Sequence, residues 1–234
     1  MAGTLYLIPS PLADTPLDWV LPEETRRIAA RLGTFIVEHP KTARAFLKQV
    51  GTTLPLQQLT LLELNEHTPA SALEALLAPL LAGEDVGLVS EAGCPAVADP
   101  GADLVRLAHG RKIPVKPLVG PSSILLALMA SGLGGQRFTF HGYLPAKTDE
   151  RAQTLRQLES QSGRDKATQI FIETPYRNQA MLETLLSTCR PDTWLTVAQG
   201  LTGSDERILS ARLADWPRGL ELGKQPSVFL LWRG

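Results

Sequence analysis

The chain is poor in cysteine. Only Cys94 and Cys189 occur in 234 residues, far apart and without the spacing of metal ligands. That excludes a disulfide scaffold and leaves a zinc site, or any metal, unsupported. Long apolar runs are missing too: no stretch approaches the ~20 residues that a membrane span needs. The opening MAGTLYLIPSP has no basic flank, so it does not read as a signal peptide. These absences lead to the expectation of a soluble, cytoplasmic protein with no membrane partner. A dominant charge is lacking as well, since 23 basic against 24 acidic side chains leave a net charge of −1. No global attraction to nucleic acid or membrane follows. The asymmetry is mild: residues before Val115 sum to −4 and the rest to +3, so a polyanion site fits better on the second half or between the halves. No internal repeat, low-complexity segment or G-x-G-x-x-G fingerprint occurs, and the commoner dinucleotide-binding arrangement loses support.

What is present is an alternation of short β-branched runs with helical patterns. Residues 3–8, 34–37, 59–64, 85–89 and 114–119 read as strands, and 26–32, 41–50 and 102–109 as helices. Residues 70–82 carry Leu73, Leu76, Leu77, Leu80 and Leu81 at amphipathic spacing, a stripe that Pro79 should kink or shorten. Residues 122–131 are apolar all round and predict a helix buried on every face. Further on, 138–140, 169–172 and the runs TWLTVAQ, ERILSARL and SVFLLW predict strands, with helices at 150–158 and 178–189. Lys147, Arg151 and Arg156 read as a solvated helix face, with RNA contact as the competing reading. The pattern changes near residues 110–120. The expectation is two α/β domains, 1–115 with a mostly parallel sheet and 116–234 with a mixed sheet.

Two loops look built for a ligand. VSEAGCPAVADPG, residues 89–101, leaves a buried strand and holds almost nothing bulky. In parallel sheets ligands bind beyond the carboxyl ends of strands. Small residues let backbone approach a ligand, and Pro95 and Pro100 stiffen the segment. Glu91 and Asp99 offer acceptors there, although Asp99 reads better as the cap of the next helix. PLVGPSS, residues 117–123, ends a strand with a Gly-Pro turn and two serines, Ser122 and Ser123, suited to capping or to an anionic ligand.

These blocks, with GTLYLIPSP, RFTFHGYLP, IFIETPYR and the terminal PSVFLLW, resemble in order the tetrapyrrole-methylase-like family of S-adenosylmethionine-dependent methyltransferases. The resemblance runs over nearly the whole chain. It comes nearest to the branch that methylates the 2′-hydroxyl of a cytidine in small-subunit ribosomal RNA. It implies two α/β domains, S-adenosylmethionine between them, and a homodimer, for which Trp194, Trp216 and Trp232 would suit an interface. Implied cofactor contacts are Glu91, Gly93, Cys94, Ser122, Ser123, Ile172, Ala198 and Ser227. Implied catalytic or acceptor-side residues are Glu38, Lys41, Glu173 and Arg177, with Tyr176, His141 and Tyr143 as further candidates for substrate contact. A Glu38–Lys41 ion pair on a surface turn, and a cap or salt bridge at Glu173 and Arg177, are the competing readings.

The match departs from that branch at three places. Pro9-Ser10-Pro11-Leu12-Ala13-Asp14-Thr15 stands for P-[TS]-P-I-G-N-L, Glu38-His39-Pro40-Lys41 for E-D-T-R, and Glu91-Ala92-Gly93-Cys94-Pro95 for D-A-G-T-P. A C-terminal extension of longer relatives is not expected here. The departures keep two other readings open: a small tetrapyrrole-like acceptor, or a non-catalytic relative that only binds cofactor or RNA.

Overall fold

The computed structural model describes all residues, Met1–Gly234, and they form two compact units, Met1–Ser122 and Ser123–Gly234. In the first, β1 (Leu5–Ile8), β2 (Thr34–Val37), β3 (Thr60–Glu63), β4 (Val86–Val89) and β5 (Val115–Pro117) make one all-parallel sheet, ordered β3-β2-β4-β1-β5. Alternate side chains serve opposite faces. Tyr6, Ile8, Phe35 and Val37 pack with α2 (Glu23–Arg31) and α3 (Pro40–Val50). Leu5, Ile36, Val86 and Leu88 pack with α4 (Leu73–Leu76), α5 (Ala78–Leu81) and α6 (Ala102–Gly110). Both faces are covered, which is why the central strands read as continuous apolar runs. A short α1 (Leu17–Val20) precedes α2 and gave no periodic signal because it is one turn long.

Local chemistry sets the boundaries. Pro40 occupies the first turn of α3, where its missing N–H costs nothing, and Gly51 ends the helix in the left-handed region at φ 76°. The leucine stripe of residues 70–82 breaks into a 3-10 turn, α4 and α5, with Pro79 in the first turn of α5. The stripe keeps its core face despite the break, since Leu77 and Leu80 are fully buried.

The second unit holds α7 (Ser123–Ser131), β6 (Phe138–Tyr143), α8 (Thr148–Asp165), β7 (Thr168–Glu173), α9 (Asn178–Thr188), β8 (Trp194–Gln199), β9 (Arg207–Arg212) and β10 (Ser227–Trp232). Its sheet is mixed, ordered β6-β7-β10-β8-β9, with β6 and β7 parallel and the other pairs antiparallel. Phe171 stacks on Phe229 with ring centres 5.6 Å apart, beneath α8 and α9.

Several expectations change. The division falls after Ser122 rather than after residue 115, because β5 pairs with β1 and so belongs to the first sheet. The helix α7 is not buried on every face: Leu125 is 51% and Met129 78% exposed, one turn apart. Arg151 is not a solvated side chain. It is buried, and its guanidinium donates to Thr184 Oγ1 at 3.0 Å and to the carbonyl of Ala146 at 2.9 Å. Trp216 is buried in the second core and so is not an exposed interface residue, whereas Trp19, not singled out in the sequence, is exposed.

Candidate functional site

The first unit gathers its chemistry at the carboxyl ends of β1, β2 and β4. Leaving β1, Ser10 forms a two-way backbone bridge with Gly93, N–H to carbonyl at 2.9 and 3.0 Å. The Ser10 hydroxyl donates to the Ser90 carbonyl at 2.7 Å, and the Ser90 hydroxyl to the Gly93 carbonyl at 2.8 Å. The loop after β4 is therefore stapled to the exit of β1. Gly93 itself sits at φ 74°, where a side chain is strained, and a Cβ there would lie 3.2 Å from Leu12 Cδ2. Its N–H and C=O are already partnered, so what Gly93 can offer a ligand is room.

Further along the loop, Ala96 and Ala98 hold φ of 65° and 56°, values that non-glycine residues seldom adopt. Gly101 closes the segment at φ 127°, where a Cβ would meet Leu88 Cδ2 at 2.8 Å. Strain of this kind persists only where the surroundings enforce it, and it concentrates at working sites. The cap of α6 is Gly101, so Asp99 does not cap that helix. Instead its carboxyl faces Glu38 and Glu91. Burial, then the neighbouring charge of Glu38 and a hydrogen bond with it, push Asp99 up to about 7. Glu91 accepts from Thr42 Oγ1 at 2.6 Å and lies 3.7 Å from His39 Nδ1. Lys41 is exposed and makes no ion pair with Glu38. Burial raises the Cys94 thiol, which donates to the Pro121 carbonyl at 3.5 Å.

Sequence reasoning missed a cavity beside this loop, of about 200 Å³, lined by Ser10, Asp14, Thr42, Phe46, Gln49 and Glu91 among others. Thr42, Phe46 and Gln49 lie on one face of α3 at i, i+4 and i+7. That spacing was readable, but nothing in the sequence said which strand end the face meets.

In the second unit the named residues cluster at one end of the sheet. Val228 lies in register between Ile172 and Ala198, and Ser227 between Glu173 and Gln199. The Gln199 amide donates to Ser227 Oγ at 2.9 Å, which in turn donates to the Gln225 carbonyl at 3.0 Å. Glu173 is buried. One of its oxygens, Oε1, accepts from the Thr174 N–H at 2.6 Å and from Arg177 at 2.8 and 2.7 Å through Nε and Nη2. The other, Oε2, is buried with no partner. Asn178 Nδ2 donates to the carbonyls of Gln225 and Gly223 at 2.8 and 3.2 Å, so it ties α9 to the β9–β10 connection. His141 pairs with Gln169 at 2.7 Å, and Tyr143 is exposed. No cluster of His, Cys, Asp and Glu suited to a metal ion occurs, and no helix is long and apolar enough to cross a membrane.

The donor set fits S-adenosylmethionine. The Glu91 carboxylate suits its positive charge, and exposed small side chains at Ala92 and Ala98 leave backbone within reach.

The sequence model for tetrapyrrole (corrin/porphyrin) methylases matches residues 20–217. A ribosomal RNA small subunit methyltransferase I from Xylella fastidiosa is 33% identical over 91% of this chain and 73% of its own length. Its counterpart from Micromonospora olivasterospora is 36% identical over 91% of this chain and 64% of its own. Among solved structures, the methyltransferase CobJ superposes with a TM-score of 0.65 at 19% identity, covering 100% of this chain and 95% of its own. A uroporphyrin-III C-methyltransferase from Thermus thermophilus gives 0.56 at 20% identity, covering 99% and 93%. The chain belongs to the tetrapyrrole (corrin/porphyrin) methylase family and is an S-adenosylmethionine-dependent methyltransferase.

Proposed function

We propose that the chain methylates small-subunit ribosomal RNA, at the ribose 2′-hydroxyl of a cytidine. The observation that carries this is the similarity to ribosomal RNA small subunit methyltransferases I over about nine-tenths of the chain. It includes the loop after β4, whose backbone is stapled to β1 and strained. Bound S-adenosylmethionine supplies an electrophilic methyl group. The chain's task is then to hold the acceptor in line, which contributes roughly 7–11 kcal/mol to lowering such barriers. A ribose hydroxyl is a weak nucleophile and needs a proton acceptor within hydrogen-bond reach. Asp99, poised near neutrality beside Glu38, is the first unit's group best suited to that work.

Glu91, Gly93, Cys94, Ser122, Ser123, Ile172, Ala198 and Ser227 are the proposed cofactor residues. Glu38, Lys41, Glu173 and Arg177 serve the acceptor side. The active form is a homodimer in which a second copy covers Leu125 and Met129 of α7. Light scattering on a Met129→Glu variant checks this, with a fall from twice to once the chain mass expected. The acceptor is tested by primer extension at low nucleotide concentration on ribosomal RNA from a deletion strain. Loss of one pause in the small-subunit RNA, restored by the gene, is expected. An unchanged pattern contradicts the proposal.

A further inference from the structure

We propose that Tyr176, Arg177 and Lys224 form a surface site that stacks an unpaired base and grips its phosphates, a docking point for single-stranded RNA on the second unit. The inference rests on the RNA reading above and extends its acceptor side from Arg177 to Tyr176 and Lys224. Tyr176 is 85% exposed, the most exposed aromatic side chain of the protein. It stands on a turn closed by the Arg177 N–H to the Thr174 carbonyl at 2.9 Å, with Pro175 fixing φ inside it. Both ends of that turn are tied to one buried oxygen, Glu173 Oε1, through the Thr174 N–H and the Arg177 guanidinium. A ring held out in water by a braced turn costs little further ordering on binding.

One cation lies over the ring, and a second follows it in the chain. The Lys224 ammonium lies 5.7 Å from its centre and has no carboxylate partner. Arg177 spends Nε and Nη2 on Glu173, which leaves Nη1 without a protein partner on a side chain 33% exposed. An exposed aromatic face beside the unpaired Lys224 ammonium, with Arg177 Nη1 left over on the same turn, matches a nucleotide: the base offers a π-face and the phosphates offer charge. A duplex hides its base faces, so the site selects single strands. It lies on the more basic half of the chain, which supports a polyanion rather than an acidic-sequence-neutral partner.

The test is fluorescence anisotropy of the full chain with a labelled single-stranded oligocytidine RNA, a matching duplex, and an acidic tyrosine-rich peptide as competitor. Tyr176→Ala should weaken single-strand binding by at least about fivefold, and Tyr176→Phe should restore it. Lys224→Gln should flatten the salt dependence by about 0.7 in log–log slope. Affinity for S-adenosylhomocysteine should not change in any of the three. Wild-type binding in both Tyr176→Ala and Lys224→Gln overturns the proposal, as does equal affinity for duplex, tighter binding of the peptide, or no binding of RNA by the wild type. Methylation separates the two claims. Variants that methylate small subunits with unchanged KM remove the docking site and leave the acceptor assignment standing. Variants that lose single-strand binding, in a protein that never labels ribosomal RNA, do the reverse.

Discussion

Glu38 and Asp99 meet beyond the carboxyl ends of two adjacent parallel strands, β2 and β4, close enough to share a hydrogen bond. Two carboxyls so placed cannot both ionise freely, and the pair holds a proton up toward neutral pH. Burial and Glu38 push Asp99 up to about 7 from 3.8. The folded chain therefore binds this proton more tightly than the unfolded chain. The associated stability is whole below about pH 4 and is lost as pH rises through about 7.

Asp99→Asn should remove that dependence. One pKa unit is worth about 1.4 kcal/mol, but the carboxyl is only half-buried and solvent screens it. The variant should thus gain about 1–2 kcal/mol over wild type at pH 8.5 and little at pH 4. Urea midpoints at the two pH values measure it, and parallel curves for the two proteins would contradict it. The same variant should lose methyl transfer while keeping its affinity for S-adenosylhomocysteine.

Arg177→Ala should destabilise the second unit by about 3 kcal/mol, because it leaves the buried Glu173 carboxylate without its cation. Oε2 already lacks a partner, so only the Thr174 N–H would remain to meet the charge. Adding Glu173→Gln to that variant should recover about half of the loss, read from denaturant midpoints.

Gly93→Ala should weaken S-adenosylhomocysteine binding at least about tenfold by calorimetry. It forces a side chain into φ 74° and toward Leu12, and so disturbs the Ser10 bridge that shapes the loop. Unchanged affinity would mean that the loop after β4 does not form the cofactor's surroundings.

The fold was readable where burial imposes a period. Apolar strands of the first unit, covered on both faces, and the one-sided stripe of α9 could hardly be read otherwise. Pro79 announced its own break. What sequence could not say was which side chains tertiary contact would bury. Arg151 looked like a surface arginine because its partners, Thr184 and the Ala146 carbonyl, come from another helix and from the turn before α8. The apolar surround of α7 implied burial, yet Leu125 and Met129 on one of its faces are exposed. Glu38, Glu91 and the loop residues were legible from composition and resemblance. Thr42 and the Asp99–Glu38 contact were not, because only the parallel pairing of β2 with β4 brings them together.

The central claim is tested most directly with the purified chain, S-adenosylmethionine carrying a tritiated methyl group, and small ribosomal subunits from a strain lacking the relative's activity. The account predicts stoichiometric label in one cytidine of the RNA, resistant to alkaline cleavage as a 2′-O-methyl ribose must be. Label in no RNA from a protein that still binds S-adenosylhomocysteine, or label on a base, would contradict it.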